Sequence, residues 1–199
     1  KGEVPNTERI EVRDEGGKSV IAQFTPLSWW EDNSIKWLLV QFQIPDVSRA
    51  GEYKLVYGSG VEPAQYGDML VEADDKGIRV LEDAYTLSVP YNAPVLAEIE
   101  GGYTLDGVMS IGGVRYYTRG ERSVTVDERG PIRTVILIEG KLQDESGNHG
   151  FDYEVRLYAY SGLPIIQVST ALVNTWDSQF TLVDNWNLRV NSSSGIDKV

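Results

Sequence analysis

The sequence predicts an all-β protein in which a small N-terminal β-barrel is followed by a large antiparallel β-sandwich. Glycine and proline interrupt the chain at short intervals, as they do where strands are joined by turns. The segments between them are rich in Val, Ile, Thr, Tyr and Trp, the residues that favour strands. Short strands separated by regular turns are typical of barrels and sandwiches.

Fourteen segments have the length and composition of strands, and each is bounded by turn residues. They are residues 8–13, 19–25, 35–43, 51–56, 69–74, 78–82, 86–90, 96–101, 115–118, 123–128, 132–142, 151–160, 165–174 and 180–189.

The predicted strands are of two kinds. Those before residue 57 are short, as in a compact barrel, whereas those from residue 132 onward are long. Within 153–160, Tyr153, Val155, Leu157 and Ala159 alternate with polar or larger residues, which is the period of an antiparallel sheet with one wet face. Glycine and proline at 58–63 suggest the boundary, so we predict a barrel over 1–60 and a sandwich over 61–199.

The net charge and the composition of the chain limit the classes of molecule that it is expected to bind. The net charge of −12 argues against nucleic acid and against an anionic membrane surface, since both need clustered Lys and Arg. No apolar run reaches the ~20 residues of a membrane helix. An acidic polysaccharide would need a local basic patch. The arginines at 115, 119, 122, 129 and 133 lie close enough in sequence to form one, or are scattered along strand edges in solvent.

The inventory of reactive side chains is small. The chain has no cysteine, and its one histidine, His149, lies in a predicted hairpin turn, so neither a hydrolytic triad nor a zinc site is expected. We expect no metal and no cofactor. Residues 144–148 resemble a calcium loop only faintly, because the EF-hand spacing and its closing Glu are missing. The paired carboxylates at 74–75, 82–83 and 144–145 fall at strand ends, where Asp serves turns.

Tyrosine and arginine together can support β-elimination from a uronic acid, with arginine neutralising the carboxylate and tyrosine acting as base. Tyr116, Tyr117 and Arg119 supply these residue types within four positions. The alternative is that these tyrosines are only strand formers among the eleven in the chain.

Aromatic residues suggest a carbohydrate-binding surface. Trp29, Trp30 and Trp37 surround a predicted hairpin turn at Asp32-Asn33, and sugar C–H faces stack on indole rings beside polar groups. Residues 35–44 are apolar on both faces at the start of the strand, so we expect Trp37 in the core. Trp176 and Trp186 lie near the end of the chain. The candidate carbohydrate-binding residues are Trp29, Trp30, Asp32, Tyr117 and Arg119.

Three segments carry a resemblance to a known family. They are Lys-Gly-Glu-Val-Pro at 1–5, Gly-Lys-Ser-Val-Ile-Ala-Gln-Phe at 17–24, and Trp-Glu-Asp-Asn-Ser-Ile-Lys-Trp at 30–37. They resemble the N-terminal barrel of the exo-rhamnogalacturonan lyase-like family, with Glu31 and Asn33 where that family usually has Pro and Gly. Residues 128–133 and the long strands after them look like the family's central β-sandwich.

The resemblance implies a non-catalytic region of a secreted or periplasmic carbohydrate-active enzyme that acts on pectic, rhamnogalacturonan-type polysaccharides. In that family the barrel and sandwich adjoin a helical, toroid-like domain, which we expect as a C-terminal partner within the same protein. The matched positions form a structural hairpin, so no catalytic residue is transferred. A stand-alone carbohydrate-binding module, or a structural and interaction domain, is the alternative.

Overall fold

The computed structural model describes residues 2–44, 51–178 and 180–193, so Lys1 of the first resembling segment lies outside it. The described residues contain sixteen strands and no helix, which confirms the predicted all-β class. Within these ranges there is accordingly no helix long and apolar enough to cross a membrane.

The strands are numbered in chain order. They are β1 (Ile10–Arg13), β2 (Ser19–Val20), β3 (Ala22–Trp29), β4 (Ile35–Phe42), β5 (Lys54–Tyr57), β6 (Leu70–Ala73), β7 (Gly77–Glu82), β8 (Tyr85–Pro90), β9 (Ala97–Ile99), β10 (Tyr103–Ile111), β11 (Val114–Tyr117), β12 (Arg122–Arg129), β13 (Arg133–Gln143), β14 (His149–Tyr160), β15 (Ile166–Val173) and β16 (Asn185–Ser192).

The first compact unit comprises Lys1–Asp68 together with Gly130–Arg133. Its described strands form a three-stranded antiparallel sheet, β2-β1-β5, and a separate hairpin, β3–β4. Hydrogen bonds that would close these two sheets into the predicted barrel are not found among the described residues. This unit reaches residue 68 and includes a later segment, whereas we predicted a barrel domain over 1–60.

A buried glutamine organises this unit. Gln23, 6% exposed, accepts hydrogen bonds on its side-chain oxygen from the backbone N–H groups of Ile132 (3.1 Å) and Arg133 (3.0 Å). A β-carbon on Gly130 would stand 2.3 Å from the Gln23 amide carbon, so only glycine fits beside it. Gln23 therefore satisfies two amide groups that the segment Gly130–Arg133 does not satisfy within itself.

The second unit comprises Met69–Arg129 and Thr134–Val199. Its eleven described strands form one hydrogen-bonded sheet system in the order β15-β14-β13-β11-β10-β9-β8-β7-β6, with β12 paired to β13 and β16 paired to β10. Its strand pairs are antiparallel, as predicted. Inward-facing residues of β7, β8, β13 and β14 meet in one core, including Val80, Leu87, Ile136, Val155 and Leu157.

The sequence missed strand β10. Its middle residues are Asp106 and Gly107, which are depleted in strands and normally indicate a turn. In the structure a β-carbon on Gly107 would stand 2.5 Å from the Trp186 ring of the neighbouring β16 and 2.7 Å from the Thr118 methyl group. Gly107 therefore lies inside the strand, at a point where the Trp186 and Thr118 side chains pack closely against its backbone, and does not end the strand.

Replacing Gln23 by Leu keeps the side-chain size but leaves two buried N–H groups without an acceptor, so we expect a loss of about 2–3 kcal/mol in the free energy of unfolding. The matched control is Gln65→Leu, because Gln65 is exposed and makes one long bond to the Pro63 carbonyl. Thermal and urea unfolding of both variants measure the difference. Equal stabilities would show that Gln23 does not support the fold.

Gly140 of β13 leaves room for Tyr153 of β14, since a β-carbon there would stand 2.7 Å from the hydroxyl oxygen and 2.8 Å from Cζ. Tyr153 is buried and its ring is surrounded by the core. We expect Gly140→Ala to destabilise the protein by about 1–3 kcal/mol through overpacking. Gly67→Ala, where the new methyl group meets nothing within 4 Å, is the control and should leave the unfolding temperature unchanged.

Candidate functional site

The predicted hairpin turn between β3 and β4 is present. Asn33 adopts a left-handed conformation, with φ at 61°, as proposed for its place in this turn. Asp32 accepts hydrogen bonds from the backbone N–H (3.1 Å) and hydroxyl (2.5 Å) of Ser34. Asp32 therefore stabilises the turn, and its carboxylate already accepts two hydrogen bonds there.

The tryptophans around this turn are all accessible. Trp29 is 56% exposed, Trp30 38% and Trp37 64%, so the prediction that Trp37 lies in the core is wrong. The apolar residues of β4 are only half-buried in a two-stranded hairpin, which cannot cover both faces of the strand. The ammonium group of Lys36 lies 4.8 Å from the Trp30 ring centre and interacts with that ring, whereas Trp29 and Trp37 are the more exposed indoles.

Tyr117 and Arg119 lie together. The Arg119 guanidinium carbon is 4.4 Å from the Tyr117 ring centre and that of Arg189 is 6.0 Å from it. Arg189 also donates two hydrogen bonds to Asp106, and this bonding raises the pKa of Arg189. The ring of Tyr117 is thus already contacted by cations, which limits the area left for stacking a sugar.

Tyr116, the other tyrosine of the proposed elimination site, is a core residue. It is buried and packs edge-on against Trp176, which also meets Phe151 at 5.3 Å between ring centres. Trp186 is half-buried and donates a hydrogen bond from its indole N–H to the Thr170 hydroxyl (3.1 Å). Trp176 and Trp186 therefore pack the sandwich rather than face a ligand.

The faint calcium loop at 144–148 is a hydrogen-bonded turn. The Asn148 side chain donates to the Asp144 carboxylate (2.8 Å), and this bond, with backbone N–H groups of the turn, lowers the pKa of Asp144. Its oxygens are occupied by the turn itself. Within the described ranges, no three His, Asp or Glu side chains are grouped to hold a metal ion.

The largest cleft that we find among the described residues lies in the second unit and has a volume of about 1310 Å³. It is larger than the ~300–1,000 Å³ of ordinary small-molecule pockets, which are also mostly apolar. Several charged side chains are in its lining: the carboxylates are Glu121, Glu139, Asp152 and Glu154, and the cations are Arg122 and Lys141. Ser123, Gln143, Asn92 and His149 add hydroxyl, amide and imidazole groups.

The strand pairing of β12, β13 and β14 forms the inner part of this cleft. Arg122 is paired with Gly140 across β12 and β13, and Tyr153 of β14 lies against Gly140 as described above. Tyr153 is 2% exposed, and its hydroxyl has no hydrogen-bond partner of good geometry among the described residues. The side chain of Arg122 is the polar neighbour of this buried hydroxyl.

Arg122 is held rigidly by backbone carbonyls. It donates to Pro90 from Nε (3.0 Å) and Nη2 (2.6 Å), and to Val95 from Nη1 (2.8 Å). None of the described carboxylates forms an ion pair with it. Burial lowers the pKa of Arg122, and the nearby Tyr153 opposes that shift. Burial likewise raises the pKa of Tyr153, so its hydroxyl stays protonated at neutral pH.

Sequence reasoning found only part of this cleft. It placed Tyr153 on the inward face of its strand, which is confirmed, and grouped Arg122 among scattered arginines. A tyrosine at an inward position among Val155, Leu157 and Ala159 was the available signal, because a buried hydroxyl needs a partner. The predicted residues form two separate groups, with Trp29, Trp30 and Asp32 in the first unit and Tyr117 and Arg119 in the second.

Comparison with known proteins concerns the second unit. Residues 97–193, from β9 to the end of the described chain, match the family model of the PcRGLX-like protein central beta sandwich domain. A search of curated proteins gave no significant match. The matched segment contains the long antiparallel strands, Arg122, Gly140 and Tyr153. Residues 97–193 are thus similar to a PcRGLX-like central β-sandwich domain, and this match is consistent with the exo-rhamnogalacturonan lyase-like family that the N-terminal motifs resemble.

Proposed function

We propose that this chain is a glycan-binding, non-catalytic part of a secreted or periplasmic protein that acts on pectic, rhamnogalacturonan-type polysaccharides. The observation that carries the proposal is the large cleft, with its charged and amide side chains, in the part of the chain that matches the sandwich domain. Carboxylates and amides around it can accept and donate hydrogen bonds to sugar hydroxyls. A helical domain of the same protein, as in the family, is the proposed partner.

A binding role is favoured over catalysis by the chemistry of the cleft. A tyrosine that acts as a general base works best with a pKa close to the working pH. The pKa of Tyr153 is instead raised by burial, and of the three residues that the sequence suggested for elimination, Tyr116, Tyr117 and Arg119, Tyr116 is buried in the core. We expect the chain alone to release no unsaturated uronates from rhamnogalacturonan, as followed by ultraviolet absorbance. Steady accumulation of such products would contradict the non-catalytic role.

Filling the cleft should abolish glycan binding. Ser123 is exposed and lines the cleft, so Ser123→Trp places an indole where the glycan would lie. The matched control is Thr125→Trp, two residues along the same strand, exposed and outside the cleft. In affinity gel electrophoresis with rhamnogalacturonan, we expect retardation of the wild type and of Thr125→Trp only. Retardation of Ser123→Trp equal to that of the control would place binding elsewhere.

The β3–β4 hairpin is a second candidate surface, because three accessible indoles at one turn offer apolar faces for sugars. Trp29, Trp30 and Asp32 remain proposed binding residues there, with Trp37 added by its exposure. Tyr117 and Arg119 remain a proposed contact in the second unit, where a guanidinium beside a ring suits an acidic sugar.

The hairpin is tested by the double variant Trp29→Ala with Trp37→Ala. If indole stacking contributes, glycan affinity should fall about three- to tenfold, on the scale of roughly 1 kcal/mol for lost aromatic contacts. Leu70→Ala, which removes a similarly exposed apolar side chain of the second unit, is the control and should bind as the wild type does. Isothermal titration with rhamnogalacturonan oligosaccharides measures the affinities. An unchanged affinity in the double variant would exclude the hairpin.

A further inference from the structure

Strand β15 lies at one end of the sheet system of the second unit and pairs with β14 alone among the described residues. A strand with one partner has a row of backbone N–H and C=O groups on its outer side, where another strand can pair with them. The sequence of β15, Ile-Gln-Val-Ser-Thr-Ala-Leu-Val, contains no charged residue, no proline and no glycine. Its register with β14 is continuous over all eight residues. This edge is therefore regular, uncharged and open.

The other strands that have a single described partner are protected against such pairing. Strands β4, β5, β6, β12 and β16 each contain a charged residue, and charges on an edge oppose association. Strand β3 contains Pro26 and has an irregular register, and β2 is only two residues long. Strand β15 has none of these features, although the whole chain has a net charge of −12.

The apolar core of the sandwich is incompletely covered at this edge. Ile166, Val168 and Leu172 pack against the core but are only half-buried, and no described strand pairs with their outer side. Ile165 (52% exposed) and Val173 (51% exposed) add apolar surface at the two ends of the strand. A further strand at this edge would cover part of this surface, and the burial would favour its docking.

Side-chain hydrogen bonds hold the chain in place at both ends of β15. Before the strand, the Tyr85 hydroxyl accepts a bond from the Tyr160 N–H (3.2 Å) and donates one to the Ile165 carbonyl (3.4 Å). After the strand, the Asn174 side chain accepts a bond from the Trp176 N–H (3.0 Å). The edge is therefore ordered before a partner arrives, which reduces the entropy cost of docking.

We propose that two copies of this chain associate through β15 and join their sheets into one antiparallel sheet. A two-fold axis normal to the sheet keeps the core side of both strands on the same side, and it places one residue opposite itself. With Ser169 at the axis, Ile166 lies opposite Leu172 of the second copy, and Val168 lies opposite Thr170. All three apolar residues of the core side are then paired across the contact. This inference does not depend on the proposed function.

A second copy suits this edge because every residue of β15 is neutral, so two such strands meet without like-charge contacts. On the exposed face of β14, Glu154 and Arg156 lie opposite Ala171 and Ser169 and form an ion pair with each other. At the charged edges, by contrast, the net charge of −12 disfavours the approach of a second copy. The two-fold axis closes the contact after two copies, so the product is a dimer and not a fibre.

The oligomeric state of the chain tests the proposal. One strand pair buries less surface than the ~1,200 Å² of a standard interface, so we expect a weak and reversible dimer, half-formed at about 10–500 μM. Sedimentation equilibrium at protein concentrations from about 5 μM to about 1 mM covers this range of a weak interface. A wild type that stays monomeric throughout would overturn the self-association and leave the edge to a strand of a different protein. Species larger than a dimer would overturn the two-fold arrangement.

Ser169→Glu is the diagnostic variant, because it places two carboxylates opposite each other at the two-fold axis. Within each monomer the new carboxylate lies opposite Arg156 of β14, so we expect an unchanged unfolding temperature. The dissociation constant of the dimer should rise about tenfold or more. Thr125→Glu, on the exposed side of β12, adds the same charge away from β15 and should associate as the wild type does. Equal association of Ser169→Glu and the wild type would contradict the proposal.

Single cysteines test the register, because the chain has no cysteine of its own. Ser169→Cys brings two thiols together at the axis, where opposite β-carbons are about 4.5–5.5 Å apart, so mild oxidation should link the dimer. Gln167→Cys, on the same exposed face two residues away, separates the two thiols by roughly 13 Å and should stay unlinked. Linking of both variants at the same rate would overturn the register centred on Ser169.

Discussion

The sandwich depends on strand β13, which pairs with β12 over most of its length, with β14, and with β11 at its last residue, Gln143. Its inward side chains include Ile136, Ile138 and Leu142, all almost completely buried. A strand that pairs with three others needs apolar side chains where it faces the core. It needs a small residue where a side chain of another strand packs across its backbone. Gly140 meets the second requirement.

The cleft is a consequence of that arrangement. Because Gly140 has no side chain, the Tyr153 ring lies over the β13 backbone, and the paired residue on β12 is Arg122. Arg122 forms no ion pair with a described carboxylate, and burial shifts the pKa of Arg122 and that of Tyr153 away from the ionised form. The same packing that stabilises the core thus places Arg122 and Tyr153 in the lining of the cleft.

Much of the fold could be predicted because it follows from local rules. Alternation in β14 indicated its buried face, and the Asp32-Asn33 pair indicated a turn whose left-handed residue is Asn33. The predictions fail where contacts with distant parts of the chain, or their absence, outweigh the preference of the local sequence. Gly107 suggested a turn but accommodates Trp186 inside β10, and Trp37 suggested a core residue but belongs to an uncovered hairpin.

The sequence by itself determined the all-β class, the order of most strands and the resemblance to a family, because two-residue alternation, turn residues and short motifs are all local in the chain. Only the tertiary structure decided which side chains line the cleft. Arg122 reaches carbonyls of Pro90 and Val95, far back in the chain, and Tyr153 lies against Gly140 through strand pairing. Such contacts depend on register and on the close packing of distant segments, which no short stretch of sequence specifies.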